Sequence, residues 1–404
     1  MQRTLRWVVV SATVWAVVLL AYPQRRSGEA STTELAKMNS LKLEERAGVT
    51  YFGQGKLEKR DGIFILHLKG SPYEMGYQTG KLLENQIRDQ LKAYKRFFSE
   101  LEKIEEEISQ RLKYVPEEQL VEMKGLAEAV GIDYRVVFMA HLFSLFRHGC
   151  THFIAMPEAT AMQKLLVARN LDTALRFHSG NVAEFYKTIV VKVHQPKSGN
   201  AFMMVATPMR VGYAGLNDKK IYCGWNAISR YDLNRYYRPN AVEHTILLRK
   251  IYQFANSLDD VSRIIDESPR SIPGIFIAVD GKTNEAKVFE VTNDSCEARG
   301  PENGFLCAAN HFVISKVGNP YESSFRRYDI TKRFFKKNYG KIDISNIKKV
   351  LKTLSGAYEG DVTTYHSAIV EPSELTIWAA AREKGRTAPR NKYIKFNLAE
   401  ELKK

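Results

Sequence analysis

Cys150 is the residue of this sequence whose type and setting best suit nucleophilic chemistry. It follows Gly149 at the point where helical sequence patterns give way to strand-like ones. Downstream, a strand-like run from Leu165 ends in two opposite charges, Arg169 and Asp172. The thiolate is the nucleophilic form of cysteine. On local sequence alone, however, a buried structural thiol and a surface ion pair would explain the same residues.

The spacing of the cysteines argues against several other chemistries. The four cysteines are Cys150, Cys223, Cys296 and Cys307. None of them is in C-x-x-C spacing, so we expect no zinc site, and four cysteines in a chain this long do not make a disulfide framework. One bridge among the last three remains open. No metal cluster or phosphate-binding glycine loop occurs either, so we expect no cofactor and no metal.

Several motifs follow one another in a fixed order along the chain. They are Gly70-Ser71-Pro72-Tyr73-Glu74-Met75-Gly76-Tyr77-Gln78-Thr79-Gly80, Gly149-Cys150-Thr151, Leu165-Leu166 with Arg169-Asn170-Leu171-Asp172, Gly215-Leu216-Asn217, Gly224-Trp225-Asn226-Ala227, Asn310-His311-Phe312, Ser323-Ser324 with Arg327-Tyr328, and His366-Ser367. In this ordered set the sequence resembles the isopenicillin-N acyltransferase-like family (acyl-CoA:6-aminopenicillanic acid acyltransferases) of N-terminal-nucleophile hydrolases, which is distantly similar to the choloylglycine hydrolases. The resemblance covers roughly residues 60–382. It implies a four-layer αββα fold and a proenzyme that is cut before the cysteine.

The resemblance gives a role to the charged residues near the nucleophile. Cleavage between Gly149 and Cys150 would leave Cys150 with a free α-amine, which titrates near pH ~8 and can act as a base for its own thiol. Arg169 is expected to lower the pKa of that thiol. Asp172 is expected to hold the new amine in position. Gly149 fits because a residue without Cβ lets the scissile bond adopt strained geometry.

Acyl transfer also needs hydrogen-bond donors aimed at the developing oxyanion. The resemblance makes Asn226 and Asn310 the expected donors, and Arg327 completes the charged set. On local sequence alone the two asparagines would be ordinary turn residues, and Arg327 would be a surface residue of a helix.

The elements that must position these residues differ on the two sides of Cys150. Residues 60–149 contain one strand-like run, at 63–69, followed by four helical patterns, the first of which opens at Ser71 or Pro72. Residues 150–404 are rich in strand-like runs separated by turn residues, with helical patterns between them. Strands and helices in separate blocks predict an α+β layered architecture. We therefore predict one αββα domain, built from a helical pro-segment (60–149) and a nucleophile-bearing chain (150–404).

The N-terminal residues have a different character. Arg3 and Arg6 precede an uncharged, mainly apolar run over residues 7–22, and Arg25 and Arg26 follow it. Such a run suits a signal peptide or a short membrane anchor. A core helix is the alternative, but the run is apolar on all faces and flanked by arginines. We predict a signal peptide or anchor over 1–26, a tether over 27–59, and a membrane-anchored or exported, extracytoplasmic protein.

The formal net charge of +15 favours anionic partners such as a phospholipid surface. No nucleic-acid-binding signature accompanies that charge, so we expect no nucleic-acid partner.

Together these features predict an amidohydrolase or acyltransferase that cuts its own chain and acts on a small-molecule amide. A papain-like protease is excluded because its local cysteine signature is absent. The alternative is a non-catalytic, membrane-anchored binding protein that keeps the fold. Loss of Cys150, Arg169 or Asp172 would favour that alternative, and all three are present. The substrate, the choice between hydrolysis and transfer, and the oligomeric state stay open.

Overall fold

A computed structural model defines most of the chain. The described residues are 32–98, 105–142, 148–174, 176–177, 180–181, 186–228, 230–358 and 361–404. The predicted signal peptide or anchor, residues 1–26, lies outside them. Within the described ranges, none of the helices has the length and apolar character needed to span a membrane.

The stretch predicted to be a tether is folded from residue 32 onward, which corrects that prediction. It contains α1 (Thr32–Ser40), β1 (Glu44–Arg46), β2 (Val49–Phe52) and β3 (Gly55–Arg60), followed by β4 (Ile63–Gly70). These strands pair in sequence as an antiparallel meander. Their sequence is largely polar because they form the edge of a sheet, where one face and one rim meet solvent.

The helical block predicted before Cys150 is present. It consists of α2 (Pro72–Leu82), α3 (Glu84–Phe98), α4 (Glu105–Leu112), α5 (Glu117–Val130) and α6 (Tyr134–Leu142). Ser71 starts α2 with a capping box, in which Glu74 bonds back to the Ser71 backbone. Helices α2 and α5 lie in close contact because Gly76 has no side chain. A Cβ added there would lie 1.9 Å from the carbonyl oxygen of Glu122.

Two large sheets make up the rest of the fold. The first has eleven strands in the order β1-β2-β3-β4-β9-β10-β11-β12-β13-β14-β15. Its later strands are β9 (Val190–Pro196), β10 (Phe202–Ala206), β11 (Ala214–Asn217), β12 (Ile221–Ala227), β13 (Gly274–Asp280), β14 (Glu285–Val291) and β15 (Cys296–Arg299). Neighbouring strands are antiparallel except for β4 and β9, which are parallel.

The second sheet has six antiparallel strands and contains Cys150. Its order is β16 (Phe305–Ala308), β5 (His148–Ala155), β6 (Leu166–Ala174), β17 (Val362–Glu371), β18 (Thr376–Ala381) and β19 (Ile394–Asn397). Two short strands, β7 (Arg176–Phe177) and β8 (Gly180–Asn181), pair with each other.

Six further α-helices lie in the described part of the chain. They are α7 (Leu233–Tyr236), α8 (His244–Phe254), α9 (Leu258–Asp266), α10 (Glu322–Asn338), α11 (Ile344–Leu354) and α12 (Leu398–Glu401).

Three apolar clusters separate these elements into layers. One packs helices α2, α5, α6, α8 and α9 on the eleven-stranded sheet, a second lies between the two sheets, and a third packs α10 and α11 on the six-stranded sheet. Alternate residues of one strand belong to different clusters. In β6, Val167 faces the other sheet and Leu166 faces α11. The layered mixture of helices and strands is as predicted, and its central strands carry the site.

Candidate active site

Cys150 is the third residue of β5, inside the strand rather than before it as the sequence suggested. Strand β5 lies between β16 and β6, so Cys150 is buried, with 1% of its surface exposed. In the β5–β6 register Cys150 is opposite Leu171, and Gly149 is opposite Asp172. The backbone nitrogen of Cys150 donates a hydrogen bond of 2.8 Å to Asn310 Oδ1.

Arg169 is the cation nearest the thiol, as its predicted role requires. It lies in β6, is buried, and its Nη2 is 3.6 Å from Cys150 Sγ. The same nitrogen donates to the carbonyl oxygen of Trp225 at 3.3 Å, while Nη1 is 3.4 Å from His366 Nε2.

The pKa of the Cys150 thiol is raised, whereas the sequence analysis expected it to be lowered. Arg169 lowers the pKa of Cys150, but burial is the larger effect and leaves the pKa above its ordinary value in the uncut chain. The arginine therefore offsets part of a desolvation penalty rather than producing a thiolate by itself.

Asp172 is buried opposite Gly149 and held by hydroxyl groups. Tyr358 donates to its Oδ2 at 2.6 Å, and Thr364 donates to its Oδ1. Burial raises the pKa of Asp172 to about 6, although Arg327 and both hydroxyls act in the opposite direction. In the uncut chain the hydrogen bond from the Cys150 nitrogen goes to Asn310, so the predicted contact between Asp172 and the amine stays a prediction for the cleaved form.

Arg327 reaches the nucleophile from α10 on the outer face of the sheet. It is buried and donates to the carbonyl oxygen of Cys150, to Thr151 Oγ1 at 2.8 Å and to Asn310 Oδ1 at 2.7 Å. A surface position, the reading from local sequence, is thus wrong for Arg327. The arginine orients the Asn310 side chain, which in turn holds the nitrogen of Cys150.

The two asparagines are buried at the site, but their amide nitrogens are engaged elsewhere. Asn310 Nδ2 donates to the carbonyl oxygen of Ala227 at 2.7 Å. Asn226 Nδ2 donates to the carbonyl oxygens of Ala308 and Ala309 at 3.1 and 2.9 Å. Asn226 Nδ2 thus has both of its N–H groups engaged and Asn310 Nδ2 has one of its two engaged, and their predicted oxyanion role stays a prediction.

Gly149 is required for a reason other than backbone strain. Its φ lies outside the left-handed region, within the regular strand β5. A Cβ added to Gly149 would lie 2.4 Å from the Tyr358 hydroxyl oxygen and 2.6–2.7 Å from two ring carbons. Glycine is needed so that Tyr358 can pack against Gly149 and reach Asp172.

Sequence reasoning missed three residues at this centre, Tyr358, Thr364 and Tyr222, and treated His152 only as a departure from the family pattern that bears on the substrate pocket. Tyr358 and Thr364 hold Asp172 across more than 180 residues of sequence, and no local pattern marks them. His152 lies two residues after the nucleophile, on the same face of β5. Its Nδ1 is 2.6 Å from Asn226 Oδ1 and its Nε2 is 2.9 Å from the Tyr222 hydroxyl. Burial lowers the pKa of His152 well below its usual range, so the ring is neutral and orients Asn226.

Among the described residues, one group of side chains has metal-ligand geometry, formed by Glu58, His67 and Glu401. Arg60 already pairs with both carboxylates of this group, so it is better described as an ion-pair cluster that fixes the C-terminal helix.

Comparison with known proteins places this centre in a family. The sequence profile described as acyl-coenzyme A:6-aminopenicillanic acid acyl-transferase matches residues 160–386, more than half of the chain. The chain belongs to this family, which confirms the resemblance. The matched region contains Arg169, Asp172, Asn226, Asn310 and Arg327, and it begins after Cys150.

Two curated relatives are similar in sequence. An uncharacterized protein of Archaeoglobus fulgidus is 24% identical over 388 residues, which span 79% of this chain and 64% of that protein. Protein dcd1B of Dictyostelium discoideum is 28% identical over 285 residues, spanning 62% of this chain and 55% of that protein. The chain thus spans less than two thirds of either relative.

Solved structures show a more distant likeness. A mutant of conjugated bile acid hydrolase from Clostridium perfringens aligns with 62% of this chain and 93% of its own, at 11% identity and a TM-score of 0.42. A Caenorhabditis elegans ortholog of N-acylethanolamine-hydrolyzing acid amidase aligns with 55% of this chain and 93% of its own, at 11% identity and a TM-score of 0.35.

Proposed function

We propose that this protein is a cysteine N-terminal-nucleophile enzyme that cuts its own chain before Cys150 and then hydrolyses or transfers an acyl group at a small amide. One observation carries the proposal. The nitrogen of Cys150 is held by Asn310 at 2.8 Å, while its sulfur lies 3.6 Å from Arg169. A structural thiol needs neither contact, whereas a residue that supplies both a nucleophile and a base needs both of its groups fixed.

The first reaction is maturation. The thiol of Cys150 attacks the carbonyl carbon of Gly149, a carbon–sulfur bond forms, and the carbon–nitrogen bond breaks. The proton leaves the sulfur and ends on the nitrogen of Cys150, which becomes the α-amine. Water then adds to the thioester, releases Gly149 as a carboxylate and regenerates the thiol.

The second reaction repeats this chemistry on a substrate. The α-amine, whose pKa lies near ~8, accepts the proton of the thiol. The sulfur attacks the acyl carbon of the substrate amide, and the amine of the substrate leaves with that proton. Water or a second amine then attacks the thioester, which gives hydrolysis or acyl transfer. Arg169, which is already beside the sulfur, stabilises its negative charge.

The experiment compares two buried free cysteines. Cys150→Ala and Cys223→Ala each remove a thiol that is at most 1% exposed. Purified variants would be assayed for amine release from N-acyl amides of different acyl length. We expect Cys150→Ala to be inactive and uncut, and Cys223→Ala to keep most of the activity. Equal activity of the two variants would contradict the proposal, and absence of activity in the wild-type protein on all of these amides would favour the non-catalytic binding protein.

We also propose export, with attachment to a membrane through the apolar run at residues 7–22. Its flanking arginines and its length support this proposal. Deletion of residues 1–26 should move the protein from the membrane fraction to the soluble fraction. Recovery of the full-length chain in the cytoplasmic fraction would contradict it.

A further inference from the structure

The ring of His152 fits between two polar residues of the facing strand β12. Tyr222, Gly224 and Asn226 are alternate residues of β12, so they lie on one face of that strand. A Cβ added at Gly224 would lie 2.4 Å from His152 Nε2, so the ring fills the space that this glycine leaves. Asn226 and Tyr222, on either side of the glycine, each contact one ring nitrogen. His152 is thus fixed between the two sheets.

The amide of Asn226 is held in one orientation by its neighbours. Nδ2 donates to the carbonyl oxygens of Ala308 and Ala309 at 3.1 and 2.9 Å. A reversed amide would place Oδ1 against these two carbonyl oxygens without a hydrogen between them. Oδ1 therefore faces His152, and its contact of 2.6 Å with Nδ1 requires that Nδ1 carry a hydrogen.

Tyr222 supplies the partner that this form of His152 needs. Burial, together with the nearby Arg169, lowers the pKa of His152 well below its usual range, so the ring is neutral and carries one hydrogen. With that hydrogen on Nδ1, Nε2 must accept a hydrogen bond, and the Tyr222 hydroxyl donates it at 2.9 Å. Burial raises the pKa of Tyr222, which keeps the phenol protonated. Removal of this hydroxyl would take away the group that favours the Nδ1–H form.

The Asn226 amide is connected to the nucleophile through the end of β16. Ala308 is the last residue of β16, and Asn310 lies two residues further along the chain. Asn310 donates from Nδ2 to the carbonyl oxygen of Ala227 at 2.7 Å, and its Oδ1 accepts from the nitrogen of Cys150 at 2.8 Å. The two asparagines thus bond in both directions between β12 and the end of β16. A displaced Asn226 would therefore shift the group that holds Cys150.

We propose that His152 and Tyr222 are positioning residues for the proposed reaction. Tyr222 holds His152 in its Nδ1–H form, and His152 fixes the amide of Asn226. That amide keeps Asn310 where it holds the nitrogen of Cys150. The inference rests on the proposed function, because this nitrogen affects turnover only if it becomes the catalytic amine. In this role neither positioning side chain takes a proton from the thiol.

The kinetic test uses Tyr222→Phe, which removes one hydroxyl and keeps the ring. Processed protein would be assayed for kcat and KM with the N-acyl amide that the wild type cleaves fastest. We expect kcat to fall by about tenfold and KM to stay within about twofold, because the nucleophile is misplaced while the acyl site is unchanged. His152→Leu should lower kcat by about 10²-fold. His152→Asn, whose amide nitrogen can donate near the position of Nδ1, should restore part of that loss.

Tyr252→Phe is the matched control. Tyr252 is a fully buried tyrosine of α8, and its hydroxyl donates to the carbonyl oxygens of Gly212 and Cys223 at 3.1 and 3.0 Å. Its loss should lower the thermal stability at least as much as Tyr222→Phe and leave kcat unchanged. Equal losses of kcat in the two tyrosine variants would overturn the positioning role, as would an effect of Tyr222→Phe on KM or stability alone.

Failure of the proposed function is distinguished by two measurements on the uncut Cys150→Ala chain. Nitrogen NMR should show the hydrogen of His152 on Nδ1, with a signal that changes in Tyr222→Phe, stays in Tyr252→Phe and is absent in His152→Asn. The amide hydrogen of residue 150 should exchange with solvent about tenfold faster in Tyr222→Phe than in Tyr252→Phe. Both results would support the positioning role even if the processed wild type cleaves no amide. A hydrogen on Nε2, a charged ring or equal exchange in the two variants would refute it.

Discussion

Replacement of Gly149 by alanine should place a methyl group inside the contact that Tyr358 makes with Gly149. The new Cβ would lie 2.4 Å from the tyrosine oxygen, closer than a Cβ atom approaches any neighbour in a folded protein. The ring must then move, and its hydrogen bond of 2.6 Å to Asp172 lengthens or breaks.

The cost follows from two contributions. Overpacking of a buried contact costs about 1–3 kcal/mol, and loss of a hydrogen bond to a charged group costs up to about 3 kcal/mol. Because the displacement relieves one as it incurs the other, we expect a decrease of about 1–3 kcal/mol in the free energy of unfolding. This would be measured by urea unfolding in a Cys150→Ala background, in which the chain stays uncut.

A double-mutant cycle assigns the loss to this contact. In a Tyr358→Ala background, Gly149→Ala should cost less than ~1 kcal/mol, because the colliding ring is gone. Gly300→Ala is the matched control, since a Cβ at Gly300 meets nothing within 4 Å.

With Cys150 present, Gly149→Ala should also slow self-cleavage, since misplacing a reacting group by ~1 Å lowers the rate by up to ~10²-fold. Wild-type stability and cutting rate in Gly149→Ala, or an equal loss in both backgrounds, would refute the reasoning.

Three further predictions concern the charged and amide groups at the site. Asn310→Ala and Asn226→Ala should each lower turnover by about 10²–10³ with circular dichroism unchanged, and near-normal turnover in both would reject the oxyanion assignment. Asp172 has a folded pKa of about 6, above its ordinary value, so its ionisation destabilises the fold. Relative to Asp172→Asn in the uncut Cys150→Ala chain, the parent should therefore lose stability, on the order of 3 kcal/mol, as pH rises from about 4 to above 6, and a pH-independent difference would contradict this. Arg169→Met should move the pH profile of self-cleavage to higher pH because the thiol loses the group that lowers its pKa, so an unshifted profile would count against that role.

Local sequence patterns predicted most elements because their causes are local. The start of α2 was readable from Ser71 and Pro72, whose capping and fixed φ act within one turn. The meander at residues 44–60 was missed because the polar residues of an edge strand look like those of a tether. Strand β6 continues past Arg169 and Asp172 to Ala174, since charged residues can continue a strand when buried partners bond them.

The sequence identified the residues that form the site, but it did not predict how they contact one another. The resemblance brought together Cys150, Arg169, Asp172, Asn310 and Arg327, and the structure shows that they are buried in one cluster. Which atom bonds to which depends on register and on long-range packing. The approach of α10 to β5 and the contact of Tyr358 with Gly149 are examples, and neither has a signature in the local sequence.

N-terminal sequencing of the purified wild-type protein, together with its intact mass, tests the central claim most directly. If the thiol of Cys150 cuts the bond to Gly149, the active preparation contains a fragment that begins at Cys150 and a second that ends at Gly149. Cys150→Ala should give one uncut chain, and Cys223→Ala should be cut as fast as wild type. An active preparation in which no fragment begins at Cys150 would contradict the account.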